Sequence, residues 1–182
     1  VGFAQGLGGN GAHPDGRTLV FVGDYCDRGP DSPAVLARIA QLHANGHALA
    51  VLGNHEINLL RDDPKDGSGW YFDERVASDE PKYAPFARPG SAERAAIRAF
   101  LAPLPVALER ADLRIVHAAW QTAAVDAARQ LAPGSARSAY DRWEDEVREQ
   151  ARSSDIAVRM KKEHQRWPHS LEQGERRPPF LR

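Results

Sequence analysis

Two short apolar runs, residues 18–22 (TLVFV) and 48–52 (ALAVL), flank a stretch with helical spacing, and this pattern limits the fold more than any other feature. Apolar runs of this length read as buried strands. Between them, Ser32 and Pro33 predict a helix start, with Ser32 as the N-cap and Pro33 at the first helical position. Val35, Leu36, Ile39 and Leu42 follow at helical spacing, and Gly46 marks the stop. A strand, a helix and a strand within roughly 35 residues form a βαβ unit, which implies a parallel pair with a right-handed crossover. The expected fold class is α/β, with sheets flanked by helices.

The remainder is read more coarsely. Residues 56–60 begin a second helix, and residues 62–69 (DDPKDGSG) form a turn-rich loop. Residues 70–89 read as irregular, since three prolines and several aromatics interrupt any period. Ser91 caps a helix over residues 91–102, with Ile97, Phe100 and Leu101 on one face. Residues 106–108 and 113–116 suggest a hairpin, and residues 123–131 a short helix. Residues 140–166 are highly charged and read as one or two helices with a solvated face. The expected organisation is a core over residues 1–120, with residues 121–182 as a charged helical insert or cap of the same domain.

Composition excludes several classes. The 24 basic and 25 acidic residues balance, so neither a nucleic-acid partner nor an anionic membrane surface is expected. No apolar run approaches the length of a membrane span. Cys26 is the one cysteine, which rules out an internal disulfide and suits a reducing, cytoplasmic location. Residues 6–11 (GLGGNG) formally match a dinucleotide-binding fingerprint, but no strand precedes them and no helix follows, so they read as a loop. The chain starts at Val1 in glycine-rich material, and the expectation is a chain missing flanking sequence.

The chemistry lies at the strand ends. Residues 23–29 (GDYCDRG) follow the first strand and residues 53–56 (GNHE) the second. Ligands gather at the carboxyl ends of neighbouring parallel strands, so the two loops should meet. Asp24 offers two carboxylate oxygens, Asn54 a neutral carbonyl oxygen, and His117, after a later strand, an imidazole nitrogen. Mixed oxygen and nitrogen donors suit Mn, Fe, Zn or Mg. Arg28 presents a planar fork that matches two phosphate oxygens. His55 can act as a general acid, and Asp27 can orient its ring. Trp70, Tyr71, Phe72, Tyr83 and Phe86 are either the wall of a substrate groove or the packing of a long insert.

GDYCDRG, GNHE and the VHA of residues 116–118 together resemble the calcineurin-like metallophosphoesterase superfamily, over roughly residues 18–120. The nearest branch resembles the serine/threonine protein phosphatases and the symmetrical diadenosine tetraphosphate hydrolases. This resemblance implies two stacked mixed sheets, two divalent metal ions and hydrolysis of a phosphomonoester or phosphoanhydride. The substrate would be a phosphorylated small molecule, a nucleotide or a phosphoprotein. It also implies Asp24 as the bridging ligand, Asn54 and His117 as ligands of the second metal, Asp27 and His55 as the acid pair, and Arg28 as the phosphate contact. The family's upstream Asp-x-His motif and downstream Gly-His motif have no counterpart here; His164 and His169 stand in other contexts. Leu52 precedes GNHE where the protein phosphatases carry Arg, and Ala119 follows VHA where glycine is usual. An inactive relative that binds metal or phosphate without turnover is the contrasting expectation, and a protein phosphatase is a third.

Overall fold

A computed structural model describes residues 7–8 and 11–153. The sequence-based expectations for most of residues 6–11, the end of the charged segment, His164 and His169 lie outside the described residues. The chain divides into two compact units, Val1–Arg137 and Ser138–Arg182.

Strands β1 (Leu19–Phe21) and β2 (Ala48–Ala50) pair in parallel, with Leu19 opposite Ala48, and helix α1 (Ser32–Ala44) joins them. The βαβ unit is present, although each strand is only three residues long. Leu36, Ile39 and Leu42 are buried on α1, which packs on β2. The cap differs from expectation. Asp31, not Ser32, accepts the Ala34 N–H at 3.0 Å. Ser32 is turned inward instead, and its Oγ accepts the Asp27 N–H at 3.1 Å. A hydroxyl occupied in tying down the preceding loop is not available as a cap.

Helix α2 (Asn54–Leu60) starts two residues earlier than its apolar period suggests, with Gly53 in the cap position. The greatest departure lies in residues 70–89. They contain a single 3-10 turn, Asp73–Arg75, and then helix α3 (Val76–Tyr83), which carries Pro81 inside it. Asp79 explains why this short helix forms despite its proline. Its side chain is 0% exposed and accepts the N–H groups of Gly67 and Gly69 at 3.1 and 2.8 Å. The helix is thus anchored by tertiary bonds, which override local propensity. Trp70 and Tyr71 are buried, so they do not line a groove.

Helix α4 (Ser91–Leu101) packs on α1 and α2 and buries Ile97 and Leu101. Gly90, rather than Ser91, precedes it as the cap, and Glu93 reaches back to accept the Gly90 N–H at 2.8 Å. Strands β3 (Ala107–Arg110) and β4 (Leu113–Val116) form the expected hairpin, with Ala107 opposite Val116. Helices α5 (Thr122–Arg129) and α6 (Ala136–Ser153) complete the described elements. Among the described residues the strands make one parallel pair and one antiparallel pair. A backbone bond from Leu52 N to Pro105 O, 2.9 Å long, ties the extension of β2 to the segment entering β3. No described helix is long and apolar enough to cross a membrane.

The cap assignments separate two variants. Asp31→Ala should lower the unfolding free energy by about 1 kcal/mol, whereas Ser91→Ala should change it by less than about 0.5 kcal/mol. Urea denaturation monitored by circular dichroism reads both, and equal losses would refute the Asp31 cap.

Candidate active site

The loop after β1 adopts a conformation that few sequences tolerate. Gly23, Asp24, Asp27 and Arg28 all have positive φ, at 89°, 55°, 71° and 60°. Left-handed backbone at a non-glycine residue costs on the order of 1–3 kcal/mol. Main-chain bonds hold the loop in place. Glu56, 0% exposed, accepts the N–H groups of Asp24 and Gly53 on Oε2 at 2.9 Å each. Its Oε1 accepts the Tyr25 N–H at 3.0 Å and the Cys26 thiol at 3.3 Å. Four donors fill the lone-pair sites of one carboxylate. Ser32 takes the Asp27 N–H, and the Gly67 carbonyl takes the Arg28 N–H at 3.0 Å.

The two motif glycines serve this arrangement by letting the loops approach each other. A Cβ on Gly23 would lie 2.7 Å from Gly53 Cα and from His117 Nδ1; one on Gly53 would lie 2.7 Å from Asp24 Oδ1. Neither position has room for a side chain.

Asp24, Asn54 and His117 converge. His117 Nε2 lies 3.1 Å from Asn54 Oδ1 and 3.4 Å from Asp24 Oδ1. His117 Nδ1 is 2.7 Å from the Val22 carbonyl. A carbonyl can only accept, so Nδ1 carries a proton, and Nε2 is the ring nitrogen that faces the two oxygens. One carboxylate oxygen, one amide oxygen and one imidazole nitrogen thus come together. Donor atoms around a single first-row cation, with bonds of about 2.0–2.2 Å, stand roughly 3.0–3.4 Å apart. The donor set and its spacing fit a divalent cation. Among the described residues, no group of three or more His, Cys, Asp or Glu side chains is poised to hold a metal ion; this trio includes an amide.

His55 and Asp27 lie alongside. His55 Nδ1 is 2.6 Å from Asp27 Oδ2, and His55 Nε2 is 4.0 Å from Asp24 Oδ2. The hydrogen bond to Asp27 is the main influence raising the His55 pKa above its ordinary 6.5; the charges of Asp27 and Asp24 add to it, while burial and Arg28 oppose it. Burial, with Glu56 next, pushes the Cys26 thiol up, so it stays a protonated donor; the Tyr25 phenol is raised by the same two causes and donates to the Val51 carbonyl at 2.5 Å. Arg28 is exposed at the rim of the site. An apolar cavity of about 360 Å³, lined by Leu104, Trp120, Val125 and Leu131, contains none of these residues.

The six residues singled out from sequence thus lie in the segments that follow β1, β2 and β4, with Asn54 and His55 at the start of α2. The sequence reading gave Glu56 no role at the site, and it read Ser32 as a helix cap and Trp70 as groove wall or packing. Glu56 had a legible signal, because a Glu three residues after a helix cap commonly reaches back to the cap N–H. Trp70 had none, since its partner Asp27 is 43 residues away.

The chain belongs to a family of phosphoesterases. The chain matches the calcineurin-like phosphoesterase model over residues 7–168 and belongs to that family. Among its relatives is a symmetrical bis(5'-nucleosyl)-tetraphosphatase of Ralstonia nicotianae, 53% identical over 49 residues, which are 27% of this chain and 17% of the relative. The asymmetrical bis(5'-nucleosyl)-tetraphosphatases PrpE of Anoxybacillus flavithermus and Bacillus subtilis are 47% and 45% identical over 49 residues, 27% of this chain and 20% of each relative. The matched stretch therefore spans a fifth or less of these relatives' length. No solved structure matches the chain at comparable significance.

Glu56→Gln should be far more damaging than a surface change. The amide turns a donor toward N–H groups that need an acceptor, at about 1–3 kcal/mol for each one left unmet. Urea denaturation should show a loss of at least about 2 kcal/mol. Unchanged stability would show that Glu56 does not hold the loops.

Proposed function

We propose that this chain hydrolyses phosphomonoester or phosphoanhydride bonds with divalent cations, and that Asp24, Asn54 and His117 are cation ligands. The convergence of a carboxylate oxygen, an amide oxygen and an imidazole nitrogen beside the His55–Asp27 pair carries this reading. Mn, Fe, Zn or Mg suits the donor set. Two cations, as the resemblance implies, would share Asp24. When bound, such ions polarise the phosphoryl group and lower the pKa of water.

The chain's own residues supply the rest. Arg28, exposed at the rim, would grip phosphate oxygens through its planar fork. As the water oxygen bonds to phosphorus and the ester or anhydride P–O bond breaks, His55 Nε2 would give its proton to the departing oxygen. Asp27 would hold the resulting ring through Nδ1, and the ring would regain its proton from solvent. The water's own proton leaves to solvent, so one water is consumed and the site is restored.

The names of the relatives support a nucleotide phosphoanhydride as the substrate class. Leu52, where protein phosphatases carry Arg, weighs against a phosphoprotein. The single buried thiol, Cys26, suits the reducing cytoplasm.

The test uses p-nitrophenyl phosphate and diadenosine tetraphosphate with Mn²⁺. Turnover should vanish with a chelator. His55→Asn should lower kcat for phenyl phosphate, whose leaving group is poor, by about 10²–10⁴-fold with bound Mn²⁺ unchanged, whereas His117→Ala should weaken Mn²⁺ binding in a calorimetric titration. A rate no greater than that of metal-free buffer would refute hydrolysis; Mn²⁺ binding that persists without turnover would then indicate the inactive relative.

A further inference from the structure

Asp27 has a second partner. While Oδ2 meets His55 Nδ1 at 2.6 Å, Oδ1 accepts the indole N–H of Trp70, also at 2.6 Å. The Asp27 side chain is only 5% exposed and Trp70 only 1%. An indole nitrogen donates and cannot accept, so this contact can serve only an acceptor oxygen. One oxygen alone would leave the carboxylate free to rotate about its Cβ–Cγ bond. With both oxygens engaged, its plane is fixed, and so is the line along which His55 is held.

Trp70 is itself positioned with care. Gly67 N–H and Gly69 N–H both donate to Asp79 Oδ2, and Arg75 Nη2 donates to Asp79 Oδ1 at 2.8 Å. A Cβ on Gly69 would lie 3.0 Å from the Asp79 Cβ, so the turn closes tightly on that carboxylate. The same turn holds Arg28: the Gly67 carbonyl accepts the Arg28 N–H, and a Cβ on Gly67 would collide with Arg28 Cγ at 2.4 Å. One buried turn thus grips both the partner of Asp27 and the backbone of Arg28, while Glu56 holds Asp24 and Tyr25.

We infer that Trp70 is a positioning residue, whose indole N–H orients Asp27 and, through it, the imidazole of His55. This rests on the reading of His55 as the proton donor to the leaving group, and it also makes a claim about the resting protein that needs no turnover.

Trp70→Phe keeps most of the packing and deletes the N–H. If His55 is misaligned, substrates with poor leaving groups suffer most, because they depend on the donated proton. Turnover of phenyl phosphate with Mn²⁺ should fall about tenfold, that of p-nitrophenyl phosphate less than about threefold, and KM should hold for both. A merely structural role would lower both rates alike, and that outcome would overturn the inference. In an Asp27→Asn background the Phe substitution should add little, since the two act in series; full additivity would also overturn it.

The second readout is independent of activity. In the proton NMR spectrum of the metal-free chain, the His55 Nδ1–H resonance should lie far downfield, and Trp70→Phe should shift it while backbone amides elsewhere hold their positions. An unmoved resonance overturns the inference even if the chain proves not to turn over. Should Trp70→Phe fail to fold, the Trp70 indole proton still decides. It should exchange slowly in the unmutated protein and move upfield in Asp27→Asn, and an indole signal that Asp27→Asn leaves unmoved would overturn the claim.

Discussion

The buried carboxylate of Glu56 makes one site out of two loops. Each loop alone is a strand end, and the first is strained at three non-glycine residues. A hydrogen bond to a charged acceptor contributes about 1.5–3 kcal/mol, and each left-handed residue costs a similar amount. No single bond would hold the loop, but four donors converging on one side chain can, and they link residues 24–26 to residue 53 in one arrangement. Burying that charge is tolerable only because every lone pair is met. This explains why the two motif glycines face each other with no room for a Cβ: the carboxylate can reach both loops only when their backbones nearly touch.

Topology supplies the rest of the convergence. The parallel pairing of β1 and β2 brings the ends of both strands to one edge. The Leu52–Pro105 bond then brings the hairpin entry close, and the Val22 carbonyl fixes the ring of His117 at the end of β4. Asn54 and His117 are separated by 63 residues and meet at 3.1 Å because three short strands end together. Their meeting depends more on which edges the strands share than on strand length.

The contrast between what was legible and what was not follows the range of the interactions. β1, α1, β2 and the hairpin announce themselves through local period and turn chemistry, and the residue types at 24, 27, 28, 54, 55 and 117 announce the chemistry. The caps were misread because Ser32 had been recruited by Asp27, and Ser91 was bypassed by Glu93 reaching back to Gly90. Helix α3 was hidden because Pro81 is a local breaker, whereas the bonds that keep the helix run from Asp79 to Gly67 and Gly69. Trp70 looked like either groove or packing; its indole bond to Asp27 leaves no periodic trace. In each case a buried polar partner distant in sequence outweighed a local preference.

These distant partners share a logic. Asp24, Tyr25, Asp27 and Arg28 are each held through their backbone N–H groups, by Glu56, Ser32 and Gly67. The main chain is gripped from behind, so the side-chain atoms of Asp24 and Arg28 need no structural bond to stay in place. Both residues are exposed, while Glu56, Ser32, Asp79 and Trp70 are buried. Asp27 is the exception: it alone among these loop residues has both carboxylate oxygens engaged by buried or half-buried donors. A site built this way separates the groups that set geometry from those that meet a ligand. It also explains why Glu56, bound to its own helix start, leaves a trace in sequence while Ser32, Asp79 and Trp70 do not: their partners are loop groups that no local period marks.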